Sequence, residues 1–125
     1  GRRQIIRAAE EAIAFQCHDL VAAMQADAAR PLAALRVDGG AAGDDFLMQF
    51  QADLLGVAID RTVCRETTAI GAAALAALAL GWQTPEQLAA RPVERRFEPA
   101  RDAAWRQQQL AGWNKAVARA ARWAE

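Results

Sequence analysis

Two adjacent glycines, Gly39 and Gly40, follow Leu35-Arg36-Val37-Asp38 and precede Asp44-Asp45-Phe46-Leu47-Met48-Gln49-Phe50-Gln51. The residues before the pair read as a short buried strand, and those after it as an amphipathic helix. Two successive positions without Cβ atoms let a ligand, or another backbone, come right up against the main chain. The helix behind the turn begins with unpaired N–H groups and a partial positive charge, which suit a nucleotide or another polar ligand. A strand, a glycine turn and a helix also serve plain packing, and at this point both readings stand. The G-x-G-x-x-G spacing of a dinucleotide fingerprint is absent. An EF-hand loop is a poor fit too, because Asp38, Asp44 and Asp45 are badly spaced for one and Gln49 stands where the bidentate glutamate is needed. The bland role for Asp44 or Asp45 is to cap the helix.

The elements that must position this turn are legible from periodicity. Gly1 to about Ala29 reads as one long helix, with Ile6, Ala9, Ile13, Cys17, Leu20 and Met24 as its apolar stripe. Arg3, Arg7, Glu10, Glu11 and Asp19 fall on its solvated faces. Pro31 rules out continuation of that helix. A second helix runs from about Gly43 to Leu55, with Phe46, Phe50 and Leu54 on one face and Gly56 as its C′ residue. Val57 to Val63 is a second strand with one well-buried face, near a sheet edge. The crossover between the two strands implies parallel pairing with a right-handed connection. Glu66 and Thr67 open a third helix that is apolar nearly all round from Ala69 to Leu80, as for a helix buried on several sides. Thr84-Pro85-Glu86-Gln87 is a capping box that starts a short helix over about Pro85 to Ala90. Val93 to Phe97 is extended. A last helix covers about Arg101 to Trp123, with Leu110, Trp113, Val117 and Ala120 on its apolar side.

Composition narrows the partners. The 125 residues carry 15 basic and 15 acidic side chains and a formal net charge of zero. No broad field draws the chain to nucleic acid or to an anionic membrane. The segment Ala69 to Leu80 falls short of the about 20 apolar residues that a membrane span needs. The N-terminus opens into an amphipathic helix rather than a signal peptide. Cys17 and Cys64 form no spaced framework, fit a reducing compartment, and read as buried small apolar residues. His18, the single histidine, has no His or Cys cluster to join as a metal ligand. The 4 tryptophans lack a basic groove beside them, which favours packing over base stacking.

Three segments in order carry a longer pattern. They are Arg36-Val37-Asp38-Gly39-Gly40-Ala41, then Phe46-Leu47-Met48-Gln49-Phe50-Gln51-Ala52-Asp53-Leu54-Leu55-Gly56, then Glu66-Thr67-Thr68-Ala69-Ile70-Gly71-Ala72-Ala73. Their types and spacing resemble the C-terminal part of the glycerol kinases, members of the FGGY carbohydrate kinases with the actin-like (ribonuclease-H-like) fold. The resemblance runs from about Gln4 to the end, through Arg96-Phe97-Glu98-Pro99 and Ala111-Gly112-Trp113-Asn114-Lys115-Ala116-Val117. It implies an α/β chain, helix-rich with two parallel strands. Residues 1–125 would be the C-terminal part of the family's nucleotide-contacting domain, a fragment with the N-terminal domain absent.

The resemblance also implies a function. The parent would be a cytoplasmic enzyme, a homo-oligomer, that uses ATP and Mg²⁺ to phosphorylate glycerol to sn-glycerol 3-phosphate. Nucleic acid and membrane are not among the implied partners. Gly39 and Gly40 fall on the turn that contacts the adenosine part of ATP or ADP. The family's two asparagines after that turn fall on Asp44 and Asp45. An ionised aspartate only accepts hydrogen bonds, and its charge near phosphates should weaken nucleotide binding by about 1 kcal/mol at a wet site. The catalytic aspartate, the glycerol-binding residues and the phosphate-binding hairpins lie upstream in the family. No catalytic or metal-ligating residue is therefore expected in these residues, and the fragment alone is expected to be inactive. Apolar surface left exposed is expected to drive self-association. Two alternatives remain at this point: a segment of another FGGY sugar or polyol kinase, and a non-enzymatic α/β interaction module.

Overall fold

A computed structural model describes residues 1–64, 66–89 and 92–121. Helix α1 (Arg2–Ala28) ends on Ala29 in a left-handed conformation, and strand β1 (Ala34–Val37) follows. A 3-10 turn (Gly40–Gly43) leads into α2 (Asp45–Leu55), which Gly56 closes with φ of 69°. Next come β2 (Ala58–Thr62), α3 (Thr67–Ala79), α4 (Pro85–Ala89), β3 (Val93–Phe97) and α5 (Ala103–Ala120). The capping box forms as read: Thr84 N donates to Gln87 Oε1 and Gln87 N donates to Thr84 Oγ1.

The strands make one mixed sheet in the order β1-β2-β3. β1 and β2 run parallel, with Leu35 opposite Ile59 and Val37 opposite Arg61. β2 and β3 run antiparallel, with an irregularity between Arg61 and Thr62. This corrects the expectation of an edge position for β2, since the extended segment Val93–Phe97 pairs along its other side. All five β2 residues are buried, the charged Asp60 and Arg61 included. The alternating pattern was misleading because central strands are covered on both faces, and the two charges there are paired.

α2 lies at the centre of the core. Leu47, Met48, Phe50, Ala52 and Leu54 pack with Ile59, Phe97 and Phe15, and Trp105, Leu110 and Trp113 close over them. Phe15 stacks on Trp113 at 5.1 Å, and Phe50 meets Trp105 edge-on at 5.8 Å. Polar residues of α2 fasten the neighbours. Gln51 Nε2 donates to Cys17 Sγ of α1, while Asp53 Oδ1 accepts from Gln49 Nε2 and Ala100 N.

Four expectations about burial are overturned. The face of α1 that is buried carries Ala14, Phe15 and Val21, while Ile6, Ile13, Leu20 and Met24 of the sequence-read stripe are exposed. α1 carries apolar residues on two faces, and contact with α2 selects the one bearing Phe15. No residue of α3 is buried, and Leu75 is 71% exposed. The apolar character of α3 finds no covering element among the described residues. Cys64 is exposed and only Cys17 is partly buried, where burial pushes its thiol pKa up. In α5, Leu110 and Trp113 pack but Val117 does not. Trp123 lies outside the described residues.

Candidate glycine-turn site

The turn is built from the end of β1 to the first residue of α2. Gly39 has φ of 84° and ψ of 176°, a region that side chains other than glycine's do not tolerate. Its identity is therefore dictated by the backbone alone. Gly40 differs. Its φ is not positive, and a Cβ placed there would meet no atom within 4 Å. Neither strain nor crowding within the described chain requires glycine at position 40.

Asp44 caps α2, with Oδ1 accepting from Leu47 N at 3.0 Å. Asp45 follows as the first helical residue, so two carboxylates stand at the positive end of this helix. They neutralise the partial charge that would attract a phosphate. The helix start thus suits a ligand that offers hydroxyl donors rather than an anion. Gly39, Gly40 and Asp44 do lie together on one turn, as the sequence reading required.

Two further contacts hold the turn, and the sequence reading did not single out either. Asp38 Oδ2 accepts a 2.5 Å hydrogen bond from Thr67 Oγ1, tying the β1 end to the first turn of α3. Thr67 also lines a groove of about 280 Å³ between the end of β2, α3 and α4. On the other side, Arg61 Nη1 donates to Ala42 O at 3.1 Å and to Asp45 Oδ1 at 2.7 Å. Arg95 Nη1 donates to Asp45 Oδ2 at 2.5 Å. The Arg61 guanidinium, hydrogen-bonded to Asp45, holds the Asp45 carboxyl below the usual carboxylate range, and Arg95 adds to this. The available signal for Arg61 was a charged residue in the middle of a strand otherwise read as buried.

The arrangement offers a bare main-chain surface with the Asp44 carboxylate beside it, Asp45 being held by Arg61 and Arg95. Among the described residues no group of three or more His, Cys, Asp or Glu is placed to hold a metal. His18 Nδ1 lies 3.4 Å from Asp19 Oδ1 on the surface.

Comparison with known proteins places the chain among carbohydrate kinases. Residues 2–80 match the model of the FGGY family of carbohydrate kinases, C-terminal domain. A glycerol kinase of Caldanaerobacter subterraneus is 52% identical over 126 aligned positions, which cover 99% of this chain and 25% of the relative. The structure of Plasmodium falciparum glycerol kinase with ADP superposes with a TM-score of 0.83 and 33% identity, over 95% of this chain and 24% of that one. A gluconate kinase from Lactobacillus acidophilus superposes with a TM-score of 0.77 at 22% identity, a likeness of fold, over 97% of this chain and 25% of that one. The chain thus spans about a quarter of the length of the curated relatives it matches.

Proposed function

We infer, because this chain belongs to the FGGY family of carbohydrate kinases and has their actin-like fold, that it supplies part of the adenosine site of a glycerol kinase. In that role residues 1–125 are the C-terminal part of the nucleotide-contacting domain. The activity of the whole protein is ATP-dependent phosphorylation of glycerol to sn-glycerol 3-phosphate, with Mg²⁺ accompanying the nucleotide, in the cytoplasm. No helix among the described residues is long and apolar enough to cross a membrane.

The observation that carries this reading is Gly40. It is bare without any internal reason, on a turn whose neighbouring glycine is demanded by the backbone. An adenosine lying flat against the main chain gives position 40 the reason it otherwise lacks. Asp44, whose carboxylate already caps α2, accepts from a ribose hydroxyl in this arrangement. Gly39 sets the path of the chain into the turn. These residues bind and orient, and none of them moves a proton at the reacting phosphate. Phosphoryl transfer needs charge neutralisation around the γ-phosphate, which this turn does not provide. The purified 125 residues are therefore expected not to phosphorylate glycerol.

Similarity to a glycerol kinase at 33% identity, against 22% for a gluconate kinase, favours glycerol over the sugar acids. The test is a coupled assay of the full-length protein carrying this sequence, with ATP and glycerol, xylulose or gluconate as alternatives. Glycerol is expected to be the preferred acceptor, and Gly40→Val is expected to raise KM for ATP by about tenfold or more. Preference for another acceptor overturns the glycerol assignment. An unchanged KM for ATP in Gly40→Val overturns the adenosine role.

A further inference from the structure

Arg61 is a cation buried in the central strand of the sheet, with only 5% of its surface exposed. A guanidinium withdrawn from water this far is costly unless each side of it is paired. Its partners come from the turn and from the neighbouring strand β3. Nη1 divides its two hydrogens between Ala42 O, inside the 3-10 turn, and Asp45 Oδ1, at the first residue of α2. Nε lies 3.3 Å from Glu94 Oε2 of β3. The guanidinium also stands over the Phe97 ring at 5.3 Å, and Arg95 shares both that ring and the Asp45 carboxylate.

We propose that Arg61 is a positioning residue for the nucleotide: it fixes the glycine turn against the sheet without touching the ligand. This rests on the reading of the turn as an adenosine contact. The physical basis is the pair of bonds from one nitrogen. Ala42 O is the turn's own carbonyl, and Asp45 is where the turn becomes helix, so a single group ties the inside of the turn and the start of α2 to the sheet. Without Arg61 that carbonyl loses its donor from the sheet. Among the described residues Asp45 then keeps Arg95, whose side chain is half-exposed. A turn free to shift by a fraction of an ångström offers a poorly shaped surface to a flat ligand. A lysine at 61 would keep the charge beside Asp45, but its stem ends short of Ala42 O.

The test measures KM for ATP, KM for glycerol and kcat in the full-length protein, with melting temperature as the control for folding. Arg61→Met is expected to raise KM for ATP about tenfold, with KM for glycerol and kcat held within about twofold. Arg61→Lys is expected to recover part of the loss. If Arg61→Met does not fold, Arg61→Lys and Asp45→Asn carry the same test, each with a smaller rise confined to ATP. Folded variants with an unchanged KM for ATP overturn the proposal, and so does a comparable rise in both KM values together with a fall in kcat, which marks a merely structural residue. The Gly40→Val variant separates the two levels. If it raises KM for ATP and the Arg61 variants do not, the positioning role alone fails. If Gly40→Val has no effect, the adenosine reading fails and takes this inference with it.

Discussion

At Gly39 and Gly40 the same residue type is present for two different physical reasons. The first is required by a positive φ, while the second has no reason within the described chain and takes one from the proposed adenosine contact. Only the adjacency of the two was visible in the sequence, and it could not say which glycine the backbone required. Asp44 caps α2 through Oδ1, and in the proposed site its charge would oppose a phosphate-bearing ligand beside the turn. Asparagine caps a helix as well as aspartate does. Asp44→Asn in the full-length protein is therefore expected to leave the melting temperature unchanged and to tighten ADP binding by about 1 kcal/mol. Calorimetric titration with ADP checks this. Unchanged or weaker binding removes Asp44 from the site.

The elements are joined at the turn by charge as much as by apolar contact. Asp45, at the start of α2, receives Arg61 from β2 and Arg95 from β3. Its carboxyl has a lowered pKa in the folded state. A lowered pKa means that the unfolded chain takes up the proton first, so the contribution to stability is complete above the ordinary aspartate pKa of about 3.9. It is lost as pH falls through the lower folded value. Asp45→Asn is thus expected to flatten part of the stability decline below about pH 4, measured by urea denaturation across pH. An acid limb as steep as that of the unaltered chain refutes this account of the three-element contact. Element by element, helix type and order were legible, since caps, prolines and glycines act locally. The Asp44 cap, the Gly56 stop and the Thr84–Gln87 box all stand where the sequence put them. Which face of α1 packs was not legible, because both of its faces carry apolar residues and only α2 decides between them.

Over the whole molecule, large apolar side chains remain in water. Ile6, Leu20 and Met24 of α1, Leu75 of α3 and Leu80 and Trp82 beyond it are all more than half or about half exposed. Where such side chains lie side by side they favour association with a second apolar surface. The purified 125 residues are expected to self-associate with rising concentration in sedimentation velocity and to bind an apolar fluorescent dye. A single monomeric boundary without dye binding contradicts this.

By itself the sequence determined the family, the α/β class, the parallel pairing of the first two strands and the place of the glycine turn. Each of these depends on local spacing, which a linear chain displays in full. Tertiary structure alone decided that β2 lies at the centre of the sheet, that α3 is bare, and that Arg61 reaches from the sheet to Ala42 and Asp45. Those outcomes depend on which distant segments meet. A pairing across nineteen positions, from Arg61 to Ala42, leaves no periodic trace for the sequence to show.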